Sequence, residues 1–182
     1  MTEAIYTIGH SDRSFDEFAA LLREAGIQHL VDVRAFPMSR TNPQFNQDVL
    51  PDELAAVGIS YEHLAALGGR RRKSKTVPVG VNAFWTHQSF HNYADYALSA
   101  EFHSGLDHLI AQGRTQRCAV MCSEAVWWRC HRRIITDYLL ARGETVIHIL
   151  GRGHLERARL TEGARIQPDG TIVYPAAESA DP

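Results

Sequence analysis

Five short apolar runs, separated by stretches of helical periodicity, constrain this chain more than any other feature of its sequence. The runs are Ile5–Ile8, His29–Val33, Ile59–His63, Cys118–Cys122 and Val146–Leu150. Strands that alternate with helices need crossover connections, and these favour a parallel sheet covered on both faces. Each crossover is then right-handed. The expectation is an α/β fold, a three-layer, mainly parallel sheet of about five strands with helices on both faces. A chain of 182 residues has the length of one ordinary domain and buries roughly 70% of its unfolded surface without a disulfide or metal staple.

The helices carry their own punctuation. Ser14-Phe15-Asp16-Glu17 is a capping box, with Ser14 as N-cap and Glu17 at its third helical position. Phe15, Phe18, Leu22 and Ala25 follow at helical spacing, and Gly26 stands where a C′ glycine belongs. A second helix is expected over Asp48–Val57, with Pro51 in its first turn and Gly58 beyond its end. Ser89–Gln112 reads as helical with a break near Ser99 and a stop at Gly113, and Cys130–Ala141 as a fourth helix stopped by Gly143. Gly68–His87 has no periodicity and reads as a long loop. Arg165–Tyr174 looks like an extended arm around an Asp-Gly turn. Residues 1–175 are therefore expected to form one domain, and 176–182 a disordered tail.

Charge and cysteine content narrow the function classes. A net charge of -2 rules out a polycation, so any nucleic-acid site has to be a local patch. Three cysteines are too few for a secreted disulfide scaffold and point to a reducing compartment. Met1-Thr2-Glu3-Ala4 lacks the basic and apolar regions of a signal peptide. No apolar run reaches the ~20 residues that span a bilayer. The expectation is a cytoplasmic protein without a membrane partner.

The reactive residues fall at strand ends. The first strand runs into Gly9-His10-Ser11, the second into Asp32 and Arg34, the third into Tyr61 and His63, and the fourth into Cys122 and Glu124. In a parallel sheet these gather outside the carboxyl ends of the strands, where open α/β sheets bind ligands. The densest motif is Met121-Cys122-Ser123-Glu124 followed by Cys130-His131-Arg132. A cysteine beside arginines and a helix N-terminus has a lowered pKa and more thiolate at neutral pH. Cys122 is accordingly read as nucleophile, against the bland alternative of a small buried hydrophobe; Cys118 is read as the latter. The Cys-x5-Arg phosphatase pattern is missed by one residue, because Arg129 lies one position too far.

Tyr6-Thr7-Ile8-Gly9-His10-Ser11, Val31-Asp32-Val33-Arg34 with Pro37, Ser39 and Arg40, Leu67-Gly68-Gly69, and Met121-Cys122-x-Glu124 with Cys130-His131-Arg132 together resemble the domain-of-unknown-function 488 family. The resemblance runs in order along almost the whole chain. It implies a compact bacterial α/β domain and implies that these motifs form one site, but it assigns no reaction and no roles.

The leading expectation is an enzyme acting on an anionic, phosphate-bearing substrate. Cys122, Glu124 and His10 would be catalytic, with Glu124 and His10 as acid/base groups. Gly9, Ser11, Arg34, Ser39, Arg40, His63 and Arg132 would bind the anion, and Asp32 would orient Arg34 or His10 rather than act as a general base. Glu124 is expected to be tied to Arg34 or Arg132. A second expectation is a nucleic-acid-binding module using Arg70, Arg71, Arg72 and Lys73, with Phe84, Trp85, Phe90 and Tyr93 as stacking partners. A third is a metal-dependent hydrolase with a divalent metal on Cys122, Cys130 and His131, although no Cys-x2-Cys or His-Glu-x-x-His spacing is present. A Cys122–Cys130 redox pair is the weakest of these readings on spacing grounds. Trp127 is expected in the core and Trp128 in a site wall. No cofactor is required by the sequence.

Overall fold

The structure, a computed structural model, describes residues 3–177. Its main sheet has six strands: β1 (Ile5–Gly9), β2 (His29–Asp32), β3 (Ser60–His63), β4 (Cys118–Cys122), β5 (Val146–Gly151) and β6 (His154–Arg157). Their order is β3-β2-β4-β1-β5-β6. The first five are mutually parallel, and β6 adds to β5 antiparallel. The α/β fold with a mainly parallel sheet is as expected; the sixth strand is an addition. Every residue of β6 is exposed, so His-Leu-Glu-Arg shows no apolar alternation to betray it. It is formed by a tight reversal through Gly153, which adopts a φ of 65°.

Two apolar cores flank the sheet. On one face Ile8, Leu30, Ala119 and Met121 pack against α1 (Phe15–Glu24) and α2 (Leu50–Ala55). On the other face Val31, Val120 and Cys122 pack against α3 (Gln88–Tyr96), α4 (Ala100–Thr115) and α5 (Arg132–Ala141). Alternate β4 residues serve opposite cores, as period-two pleating requires.

The caps follow the sequence signals. Ser14 Oγ accepts from Glu17 N at 3.1 Å, and Gly26 closes α1 with a φ of 72°. Ser99 Oγ accepts from Phe102 N at 3.2 Å, so the break lies between α3 and α4. Two boundaries move. Gly113 does not stop α4, which runs on to Thr115; it sits inside the helix because a Cβ there would press on Ile5 at 3.2 Å. Cys130 does not open α5, which begins at Arg132 after a 3-10 turn over Trp127–Arg129.

The C-terminal arm forms a separate two-stranded ribbon, β7 (Arg165–Ile166) and β8 (Ile172–Val173). It docks through Tyr174, whose hydroxyl donates to Asp137 at 2.7 Å. Residues 176 and 177 are exposed coil, and the rest of the expected tail, 178–182, lies outside the described residues. Among the described residues no helix is long and apolar enough to cross a membrane.

Candidate active site

The chain leaves β1 towards the α1 face and leaves β4 towards the α5 face. These two strands are neighbours, so their carboxyl ends diverge and open a crevice at the switch point of the sheet. A cleft of about 810 Å³ lies there. Its lining comes from the loops after β1, β2 and β4, from Gly69-Arg70, and from Ser89, Phe90 and Tyr93 of α3. Ser11 and Arg70, the two non-glycine residues with positive φ among the described residues, both lie in this lining.

Two cysteines form part of its floor. Cys122 ends β4 and Cys130 precedes α5, and their Sγ atoms are 2.6 Å apart. Against them lies Arg132, only 1% exposed. Its Nε donates to Cys122 Sγ at 3.0 Å, its Nη1 to Thr7 Oγ1 at 3.0 Å and its Nη2 to the Glu124 carbonyl at 2.6 Å. The first amide of α5, Arg132 N, donates to Cys130 Sγ at 3.4 Å. Among the described residues no carboxylate bonds to this guanidinium. A buried charge needs a counter-charge, and the groups able to supply one here are the two thiols. Burial pushes both up, but Cys122 as hydrogen-bond partner and the charge on Arg132 bring Cys130 down to about 7. Cys122 goes well above its usual range through burial and its neighbour Cys130. The pair therefore holds one proton and one negative charge near neutrality. Burial opposes the charge on Arg132, but the two sulfurs outweigh it and raise the Arg132 pKa.

His131 completes the group. Its Nε2 lies 2.8 Å from the Val33 carbonyl, which can only accept, so Nε2 carries the hydrogen. Burial holds His131 below its ordinary range, hence neutral, with a bare Nδ1 3.5 Å from Cys130 Sγ. Gly69 makes room for this ring, since a Cβ there would meet Nδ1 at 2.9 Å. Gly9 makes room for the β4 loop, since a Cβ there would fall 1.6 Å from the Glu124 carbonyl oxygen.

A second buried cation stands at the end of β2. Arg34 donates to Asp32 through Nε at 2.9 Å and Nη2 at 2.7 Å, and Nη2 also reaches the Phe45 carbonyl at 2.7 Å. Its Nη1 points at His10 Nε2, 3.3 Å away. His10 Nδ1 donates to the Ser11 carbonyl at 2.8 Å, and burial lowers its pKa to about 4. His10 is thus a neutral acceptor for Arg34, stacked on Phe45 at 4.5 Å. Tyr61 Oη donates to Asp32 Oδ2 at 2.6 Å, the oxygen that also accepts from Arg34 Nη2.

The family described as Domain of unknown function DUF488 matches residues 14–139, well over half of the sequence. The chain belongs to this family. No curated protein and no solved structure matches it.

Most of the strand-end residues expected in this DUF488 site do meet. His10, Ser11, Arg34, Ser39, Cys122 and Glu124 all line the cleft, and Ser39 Oγ holds Asn42 N at 2.9 Å on its rim. Three do not. Gly9 lies beneath the β4 loop, His63 stands behind Arg34 with Nε2 on the Arg34 carbonyl at 2.8 Å, and Arg40 is exposed outside the cleft. Asp32 orients Arg34, as expected.

The expected tie between Glu124 and an arginine is wrong. Arg132 takes the backbone carbonyl of Glu124, while its side chain is exposed and forms no ion pair among the described residues. The expected site of the depressed thiol also shifts, from Cys122 to Cys130, because Cys130 has Cys122 as hydrogen-bond partner and both the charge and the backbone amide of Arg132 against it. Arg132 is spent on fixed partners rather than free for a ligand. The unpaired cations at the rim are instead Arg129 and Arg70. Arg129 lies between the two halves of the cysteine motif, directly before Cys130, where only its distance from Cys122 in the phosphatase pattern gives it a signal.

The basic loop is dismembered by the fold. Arg70 reaches the cleft, Arg71 folds back over the Tyr96 ring at 3.7 Å and donates to the Ala65 carbonyl, and Arg72 and Lys73 face solvent. The aromatic residues near it are occupied: Trp85 and Tyr93 are buried, and Phe90 stacks on Trp85 at 5.0 Å. Trp128 is exposed outside the cleft, not a wall of it, and Trp127 is half-buried against the His148 ring at 4.6 Å. Cys122, Cys130 and His131 do come together. However, among the described residues no group of three His, Cys, Asp or Glu is arranged to hold a metal ion.

Proposed function

We propose that this protein is a cysteine-dependent enzyme acting on an anionic, phosphate-bearing small molecule bound in the switch-point cleft. The observation that carries the reading is the buried Arg132 guanidinium, which among the described residues has two thiols and no carboxylate against it. A thiolate, not a thiol, is the nucleophile. Cys130 gives up its proton near neutrality, its thiolate held by the Cys122 hydrogen bond and the charge on Arg132, beside the neutral His131 ring. The thiolate attacks the electrophilic centre of the substrate. Arg129 and Arg70 at the rim attract the anionic group, and the exposed carboxylate of Glu124 serves proton exchange with the bound molecule. His10 acts indirectly, by holding Arg34 in the wall.

The test is alkylation of the reduced protein by iodoacetamide across pH, followed residue by residue by mass spectrometry, with and without inorganic phosphate. Cys130 should label with an inflection near 7, and phosphate should slow it. An inflection at the free-thiol value of ~8.5, or labelling only after unfolding, would remove the nucleophile and the reading with it. Rapid labelling indifferent to phosphate would leave the thiolate but sink the anionic substrate.

A further inference from the structure

The eight-residue separation of Cys122 and Cys130 gives no redox motif in sequence, yet their sulfurs are 2.6 Å apart in the fold. That is within about 0.6 Å of the bond length of a disulfide. Both line the cleft, so a small oxidant has a route to them. We propose that Cys122 and Cys130 are a reversible dithiol–disulfide couple, oxidised by hydroperoxides, that switches off the thiolate at the cleft floor. It rests on the enzyme reading only for what the switch controls; the couple itself stands on the geometry of the pair.

The chemistry balances with these two residues and one hydroperoxide. The Cys130 thiolate attacks the terminal oxygen of the peroxide, and the O–O bond breaks. The alkoxide or hydroxide leaves and takes up a proton, and Cys130 becomes a sulfenic acid. The Cys122 sulfur, already in contact, attacks the Cys130 sulfur and the S–O bond breaks. Hydroxide leaves with the Cys122 proton as water. The two sulfurs have lost two electrons, and the peroxide has been reduced to an alcohol, or to water, and water. Return to the dithiol is by exchange with an external thiol reductant.

Arg132 sets the character of this couple. In the dithiol state the shared negative charge faces the guanidinium; in the disulfide state that charge is gone while Arg132 keeps only Thr7 and the Glu124 carbonyl. Oxidation thus leaves a buried cation uncompensated, which works against the disulfide and makes it easy to reduce. The ring it closes is short, so it constrains the unfolded chain less than a long one would. Most disulfides raise a melting temperature, whereas this one should lower it.

The experiment adds one equivalent of hydrogen peroxide to the fully reduced protein and follows thiols, intact mass and peptide maps. Two of the three thiols should disappear, the mass should fall by two hydrogens, and a Cys122–Cys130 linked peptide should appear. Dithiothreitol should reverse all of it. Cys118, at the opposite end of β4, should stay free as an internal control. In Cys122→Ser the same treatment should add oxygen to Cys130 with no cross-link. The oxidised wild type should melt below the reduced form. Oxygen addition in the wild type without a cross-link, or a cross-link that dithiothreitol cannot reverse, would overturn the couple. A higher melting temperature on oxidation would overturn the role given to Arg132. The enzyme reading fails separately, through alkylation of the reduced protein, so the two can fall independently.

Discussion

Two arginines lie buried at neighbouring places in this sheet, and they are neutralised by different chemistry. Arg34 has a carboxylate, Asp32, bonded to it in a fork and itself fixed by Tyr61. Arg132 has two sulfurs. The first arrangement is electrically closed: a carboxylate and a guanidinium meet in a fork. The second is open, because its counter-charge is a group that gains and loses a proton in the physiological range. A wall is built from the closed kind, and a reaction centre can be built from the open kind.

The largest effect should come from breaking the closed pair. Asp32→Ala leaves Arg34 buried and unpaired, and loss of one partner of such a pair costs about 3–5 kcal/mol, read by urea unfolding. A loss under about 1 kcal/mol would show that water replaces Asp32 and that the two arginines do not differ as described.

Next is the pH dependence of stability. The folded Cys130 pKa, about 7, lies below its ordinary value of 9.0. A group depressed in this way contributes stability above its unfolded pKa and loses it as pH falls through the folded one. Between pH 7 and 9 the unfolded chain binds more protons, so stability should rise with pH, by about 2–3 kcal/mol in total. Cys122 and Cys118, both pushed upward, oppose the rise as pH nears 9, where their unfolded thiols ionise while the folded ones stay protonated. Melts in Cys130→Ser should lose the rise; a slope that persists there belongs to another group.

Arg132→Met should cost less than Asp32→Ala, about 1–3 kcal/mol for the bonds to Thr7 and the Glu124 carbonyl, since the thiols left behind can simply stay protonated. Thiolate ultraviolet absorbance should then titrate at or above the free-thiol value of ~8.5, because burial still opposes the charge. An inflection unmoved from the wild type would mean that Arg132 does not set the thiol pKa. The smallest effect is expected from Glu124→Gln, which should stay within about 0.5 kcal/mol of wild type because the carboxylate is exposed and unpaired.

Much of this frame is legible from the residues. The five parallel strands, the capping box at Ser14 and the helix break at Ser99 each rest on a local signal that the fold keeps. The gathering of His10, Arg34 and Cys122 follows from parallel topology alone, because carboxyl ends of parallel strands share one edge. What escapes is of another kind. Strand β6 has no apolar face to show. The pairing of Cys122 with Cys130 depends on a 3-10 turn that folds eight residues back on themselves, and spacing rules drawn from Cys-x-x-Cys say nothing about it. The partner of Glu124 was misjudged because a backbone carbonyl, invisible to charge pairing, outcompeted the side chain.

The crossing at Gly9 has a consequence for how the cleft can vary. With the Glu124 carbonyl lying where a Cβ would sit, and Arg132 gripping that same carbonyl, the ends of β1 and β4 are locked together by backbone rather than by exchangeable side chains. No substitution at position 9 can reshape the floor without prising the strands apart. Diversity of ligand has to be written elsewhere, on the opposite rim, where Phe36, Met38 and Arg70 project into solvent with little packed behind them. The architecture thus separates an invariable anvil from an interchangeable die.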